Sequence, residues 1–328
     1  MSDACLITGV TGFIGGHMAE RLVQERMRVR CLVRASSDTS LLEQLDVDLV
    51  VGDLAGAGSL AGAADGCRYV VHCAAHVSDW ATVEEISRVN VDGTRRLLEA
   101  AAAASVERFV HVSTTDVYGY PRGTAIDETY AGTRFRNWYS ETKRAAEEEV
   151  HRARGLETVI LRPATVYGPR STDVVGEIAR AIRGGHMVLI GRGRPVAGLV
   201  YVSNLVDAAV LALRHEAAPG QAFNVTDGVP VTWRQFTDDL AAGLGCRPPR
   251  WSMPYPLASG LGFALEHGYR LLRRATGLKT PPLLSRQAVH VLGLSQDFSN
   301  RKAREVLGWG PRVGYSAGLE ATLAWLRG

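Results

Sequence analysis

Within the stretch NWYSETKRAAEEEV, residues 137–150, a phenol and an ammonium stand four residues apart, Tyr139 and Lys143. That spacing is about one helical turn, so both side chains share a face. A tyrosine near its ordinary pKa of about 10 is a poor base at neutral pH. A cation beside it favours the phenolate and lowers that value, so the pair can move a proton to or from an oxygen. The faces of the helix separate this pair from an ordinary surface couple. Glu141, Arg144, Glu148 and Arg152 form one stripe, polar throughout; Tyr139, Lys143, Ala146 and Val150 form another, half apolar. The second stripe is expected to face the protein body, where a lysine is costly without a partner or a task.

Such a helix needs a scaffold, and the chain supplies alternating elements. The runs CLITG, VRCLV, DLVVG, YVVHCAA, RFVHVS and TVILRP are apolar almost throughout, as in parallel strands buried on both faces. Helical patterns lie between them at about 12–25, 39–45, 82–104 and 137–153. Alternation of this kind predicts an α/β fold with a doubly wound parallel sheet. After about residue 165 the loops become richer in Gly, Pro and Arg, and helices dominate, at about 232–244, 255–275, 300–307 and 315–327. Strand-like pieces there are GLVYV, AFNV and QDFS. The segment VYVSNLVDAAVLALRH reads as one more strand and helix returning to the sheet.

The first strand runs into TGVTGFIG, with Gly9, Gly12 and Gly15 before an amphipathic helix. Glycine serves a tight turn, a close backbone approach to a pyrophosphate and close helix–strand packing. The helix N-terminus that follows offers N–H groups and the positive end of a dipole to phosphate. Arg34, Ser36 and Ser37 end the second strand, where a free ribose is usually held by a carboxylate. A cation and two hydroxyls suit a 2′-phosphate instead, so NADP(H) is the expected cofactor, with NAD(H) the alternative. Asp53, with Leu54 after it, is placed to meet the adenine.

Composition sets bounds on the rest. The 328 residues are 46% hydrophobic and 22% charged, an ordinary globular balance with material for one large domain or two modest ones. A net charge of +3 without a dense basic patch argues against nucleic acid as a partner. The local excess at Arg270, Arg273, Arg274 and Lys279 reads as a solvated helix face. Cys5, Cys31, Cys67, Cys73 and Cys246 are odd in number and fit no metal spacing, so no metal is expected and buried free thiols in a reducing compartment are. With no membrane-length apolar run and no signal-peptide pattern, the expected location is cytoplasmic.

In combination, TGVTGFIG, GDL, HCAA, VNVDGT, VSTTDVYG, YSETK and LRPATVYGP resemble the extended short-chain dehydrogenase/reductases over nearly the whole length. LVRASSD, YVSNLVDA and FNVTDGVPVTWRQF look most like the 3β-hydroxysteroid dehydrogenase and dihydroflavonol-reductase branch, and a hopanoid-associated sugar-epimerase-like subgroup is also close. The resemblance implies a Rossmann-type dinucleotide-binding domain, residues 1–165 with about 199–215. A smaller mixed α/β substrate domain, 166–198 and 216–328, would complete the chain. It implies Tyr139 as proton donor or acceptor, Lys143 as the group that lowers its pKa and binds ribose, and Thr114 as the hydroxyl on the substrate oxygen. It implies cofactor contacts at Gly9, Thr11, Gly12, Phe13, Ile14, Gly15, Arg34, Asp53, Leu54, Ala74, Ala75, Asn90, Lys143 and Pro163. Substrate contacts would come from Thr114, Asp116 and Tyr139, with Trp80 either at the substrate or in the core. Relatives often dimerise through a bundle that includes the Tyr139 helix, so a homodimer stays open, although the polar stripe does not demand it.

The scaffold hosts several chemistries. Dehydratases that resemble this loop carry an Asp-Glu pair after the threonine; here the pair is Thr115-Asp116, and Asp116 as a mere loop cap stays open. Sugar-nucleotide epimerases usually carry an Arg-Asp-Phe-like run before the V-x-V strand, and GRGRPVAGLVYVSN lacks it. Helix 255–275 has an apolar stripe, Leu257, Leu261, Ala264, Leu265, Leu271 and Leu272, that either lines a greasy pocket or faces the core. The expectation is oxidoreduction of a ketone or secondary alcohol on a fairly apolar small molecule, steroid-, polyketide- or flavonoid-like. An NAD-dependent nucleotide-sugar epimerase, or a dehydratase or decarboxylase, is the alternative. A non-enzymatic dinucleotide sensor is remote, because such proteins typically lose the Tyr/Lys couple.

Overall fold

The computed structural model describes residues 3–276 and 285–328, except 57, 59, 79, 122 and 134–136, and only the backbone of 270–276. The helix face expected at Arg270, Arg273, Arg274 and Lys279 and the stripe members Leu271 and Leu272 therefore lie outside the described side chains. Seven parallel strands form the main sheet: β1 (Ala4–Thr8), β2 (Arg28–Val33), β3 (Val47–Val51), β4 (Tyr69–His72), β5 (Arg108–Val112), β6 (Glu157–Pro163) and β10 (Ala222–Val225). Their order is β10-β6-β5-β4-β1-β2-β3, so the winding reverses between β1 and β4. β1, β4 and β5 are buried along their whole length, as their unbroken apolar runs require. β3 departs from that expectation: as the edge strand it leaves Leu49 and Val51 exposed.

Alternate residues of the strands feed two cores. Cys5, Ile7 and Val71 pack with α1 (Phe13–Gln24), α6 (Val202–Arg214) and α10 (Arg301–Leu307) on one face. Leu6, Val70 and Phe109 pack with α3 (Thr94–Ala103) and Val150 of α4 (Trp138–Arg152) on the other. The expected helix at 82–104 is α2 (Val83–Ser87), a π-helical segment Arg88–Gly93 and α3 in succession. Thr82 starts it with a capping box to Glu85.

The expected helix at 39–45 forms consecutive turns instead, with Leu42 N–H bonded to the Thr39 carbonyl and Leu45 N–H to that of Leu42. So short a segment does not repay helix nucleation, and burial of Leu42 holds it down without one. GLVYV also departs from expectation. β9 (Leu199–Tyr201) does not join the main sheet; it pairs with β7 (Thr165–Tyr167), while β8 (Val188–Ile190) pairs with β11 (Trp251–Met253). AFNV supplies the seventh strand, and α6 alone returns to the sheet. QDFS makes a single bridge, Phe298 to Ile126. Around the short ladders pack α5 (Glu177–Arg183), α7 (Trp233–Gly243), α8 (Tyr255–Thr276), α9 (Arg286–Gly293) and α11 (Tyr315–Arg327). Among the described residues no helix is long and apolar enough to cross a membrane.

Candidate active site

The glycine turn leaves the C-terminal end of β1, beside the point where the strand order reverses. In open α/β sheets this crevice is where ligands bind. Gly9 has φ +69, and a Cβ there would lie 2.6 Å from the Ala74 nitrogen. A Cβ on Gly15 would lie 2.2 Å from the Gly9 carbonyl oxygen. Both positions therefore demand glycine for packing, whereas Gly12 is exposed and caps α1 without a side-chain bond. Thr11, Gly12, Phe13 and Ile14 form the exposed or half-buried start of the helix. These residues fit a dinucleotide: backbone N–H groups and a helix dipole meet at a turn with no side chain in the way. Ala74 lies against the turn just after β4, with Ala75 next to it in the chain, and Thr8 Oγ1 accepts from Ala74 N at 3.2 Å.

Arg34 is exposed at the end of β2, and its N–H donates to Ser37 Oγ at 3.2 Å. Asp53 is exposed after β3 and accepts from Ala55 N at 2.9 Å, while Leu54 is buried under the π-helical segment. Pro163 ends β6, buried. Arg34, Asp53, Ala74 and Pro163 thus share the same end of the sheet as the glycine turn.

On α4 the expected inward stripe is inward: Lys143, Ala146 and Val150 are buried. Asn137 caps this helix, accepting from Ser140 N at 2.7 Å. Lys143 Nζ donates to the Val112 carbonyl at 2.8 Å and lies 3.3 Å from His111 Nε2. Burial pulls its pKa down to about 8, against the opposing pull of Glu147 and Cys73. Tyr139 goes the other way from expectation. Burial, and then the Asp116 carboxylate, push its phenol well above 10. The cation's hydrogen bonds go to β5, so the phenol stays a neutral O–H, a form suited to giving a proton.

Thr114 begins the turn after β5. Its hydroxyl accepts from Asp116 N at 3.1 Å, which leaves its proton to donate. Thr114 is thus the cap of that turn, and the Asp116 carboxylate accepts from Gln287 Nε2 of α9 at 3.1 Å. Asn90, in the π-helical segment, accepts from His76 N at 2.7 Å and donates to the His76 carbonyl and to Thr142 Oγ1, both at 3.2 Å. Its amide thus ties the loop after β4 to α4. Trp80 packs edge-on against Tyr269 of α8, with ring centroids 4.9 Å apart.

Sequence reasoning missed His111, Asn137 and Gln287. A histidine inside an apolar buried strand was a usable signal for His111. Gln287 gave none, since only tertiary folding brings α9 to this site. A cavity of about 790 Å³ begins at Gln287 and is lined by Ile178, Met187, Ile190, Trp233 and Leu261 among others. Among the described residues of the apolar stripe on α8, Leu261 lines it; Leu261, Leu257, Ala264 and Leu265 are all exposed.

A model of the NAD-dependent epimerase/dehydratase family matches residues 5–226. The chain belongs to that family. It is an NAD(P)-dependent enzyme of the extended short-chain dehydrogenase/reductase type. Its relatives include the 4-hydroxy-2-methyl-3-oxo-4-farnesyl-3,4-dihydroquinoline-1-oxide ketoreductase of Stigmatella aurantiaca, 32% identical over 96% of this chain and 94% of that one. A 3β-hydroxysteroid dehydrogenase/Δ5→4-isomerase of Mycobacterium tuberculosis is 32% identical over 93% and 85%. The structure of MoeE5 with UDP-glucuronic acid and NAD superposes with a TM-score of 0.77 at 26% identity, covering 99% of both chains.

Proposed function

We propose that this family member is an NADP(H)-dependent ketoreductase or secondary-alcohol dehydrogenase for a fairly apolar small molecule. The observation that carries the reading is the neutral Tyr139 phenol, joined through Asp116 and Gln287 to an apolar cavity, with the charged Lys143 ammonium on the same face of α4. Held by its pyrophosphate at the glycine turn, NADP(H) would supply hydride to a carbonyl carbon. The chain's own part is to manage the oxygen. Thr114 donates a hydrogen bond to it, Tyr139 gives it a proton, and the Lys143 charge stabilises the phenolate left behind. In the reverse direction the same groups take the proton back. In this reading 1–165 with about 199–215 hold the cofactor, and 166–198 with 216–328 hold the substrate.

The cavity also weighs against a nucleotide sugar. A diphosphate needs cations, yet Asp173 and Glu177 stand on this wall, and Arg180 is already paired with Glu177 at 2.7 Å. The ketoreductase and hydroxysteroid dehydrogenase among the relatives support the apolar reading, while MoeE5 with its UDP-sugar keeps the epimerase reading as the comparison. Arg34, Ser36 and Ser37 support NADPH over NADH.

A screen of ketones and nucleotide sugars with NADH and NADPH tests this. Net oxidation of NADPH by apolar ketones is expected. Conversion of a nucleotide sugar without net change in the cofactor would replace the reading by epimerisation, and equal efficiency with NADH would remove the cofactor preference.

A further inference from the structure

Gln287 belongs to α9, about 150 residues along the chain from the helix that carries Tyr139. Its amide nevertheless makes three hydrogen bonds on that side of the site. Nε2 donates to Asp116 Oδ2 at 3.1 Å, and Oε1 accepts from Tyr120 OH at 2.9 Å and from Asn137 Nδ2 at 2.7 Å. Asn137 Nδ2 also donates to Tyr120 OH at 3.1 Å, and Asn137 Oδ1 caps α4 at Ser140 N. Tyr139 is the second residue of that helix, and Asp116 is its charged neighbour. On its other side the same Gln287 lines the apolar cavity.

We propose that Gln287 is a positioning residue, joining the cavity wall to the two groups that set Tyr139 in place: the Asp116 carboxylate and the Asn137 cap of α4. This rests on the reading of Tyr139 as the proton-transfer group. The chemistry calls for an amide. Asp116 requires a donor, whereas Tyr120 and Asn137 require an acceptor, and an amide offers both from one planar group. A glutamate keeps the acceptor but turns a carboxylate on Asp116; a leucine keeps neither. Among the described residues, Tyr139 of α4 faces the Asp116 charge, and Tyr120, after the Thr114 turn, shares Gln287 with Asp116. Further out, His290 of α9 stacks on Tyr120 at 4.0 Å and bonds to Tyr255 OH at 2.6 Å.

The test compares the full chain with Gln287→Leu and Gln287→Glu. It reads hydrogen exchange of the 137–143 stretch, kcat and KM for ketone and NADPH, and the pH profile of kcat. Gln287→Leu should speed exchange at Ser140 about tenfold by loosening the cap. It should lower kcat about tenfold or more and leave the KM for NADPH within about twofold. Gln287→Glu should keep exchange slow and add an ionisation to the kcat profile, displaced upward by about one unit or more, as paired carboxylates share a proton. A merely structural glutamine would change the melting temperature and leave the profile where it was. Parental kcat and pH profile in both variants, or parental exchange at Ser140 in the leucine variant, would overturn the proposal. If the parent reduces no ketone, the functional reading falls by itself. Exchange at Ser140 then decides for Gln287, and an unchanged rate overturns it.

Discussion

Lys143 keeps a charge in a place that penalises one. Its shift from the ordinary 10.5 to about 8 corresponds to roughly 3 kcal/mol against the ammonium. The sign follows from proton counting. Between about 8 and 10.5 the unfolded chain binds the proton and the folded one does not, so this group makes the protein more stable as pH rises through that window. In Lys143→Met that contribution is gone. Denaturant unfolding of the ligand-free protein should therefore gain stability less steeply between pH 8 and 10 than the parent; equal slopes would contradict the shifted pKa. Burial penalises the charge of Tyr139 as well, and there Asp116 adds to it, so both favour the neutral phenol. Tyr139→Phe should leave folding and NADPH binding intact and cut kcat by about 10²-fold or more, the usual worth of a placed acid. Steady-state rates beside a cofactor-fluorescence titration check both halves of that statement.

The elements supply the precision that the side chains use. Two of them end at the reversal of strand order, and the turn after β1 touches the loop after β4 so closely that Gly9 has no room for a Cβ. Gly9→Ala adds a left-handed strain to a backbone clash. It should cost more than about 1 kcal/mol in unfolding free energy. NADPH affinity should fall at least about tenfold; affinity at the parental level would show that the turn does not bind the cofactor. The π-helical segment does related work at the next helix. Its wide turn sets Asn90 where one amide holds both His76 and Thr142, a frequent role of such bulges at functional sites. The Asn137 cap then fixes the first turn of α4, where Tyr139 lies.

At the scale of the whole molecule, the β8–β11 ladder and α5, α7, α8 and α9 together make a cavity that no single element contains. Its lining predicts how size discriminates between substrates. Ala181→Phe places a ring on the cavity wall and should raise the KM of bulky apolar ketones about tenfold or more. The KM of a short ketone should move little. A parallel rise for both would mean that the cavity does not receive the substrate body.

The sequence determined the glycine turn, the buried strands and the Tyr139–Lys143 face, because each depends on residue types and short spacings that repeat within one element. It also determined the family, since those motifs keep their order along the chain. Tertiary structure decided the rest. AFNV rather than GLVYV joins the sheet, because both are short apolar runs and only packing chooses between them. β7, β8 and β11 are too short to carry a period. The direction of the Tyr139 shift turned first on burial of the phenol and then on the Asp116 carboxylate nearby, while the Lys143 ammonium is bonded toward Val112 and His111. Spacing along one helix sets which face a group occupies. The charge it meets there comes from other strands and helices, which only the folded chain brings within reach.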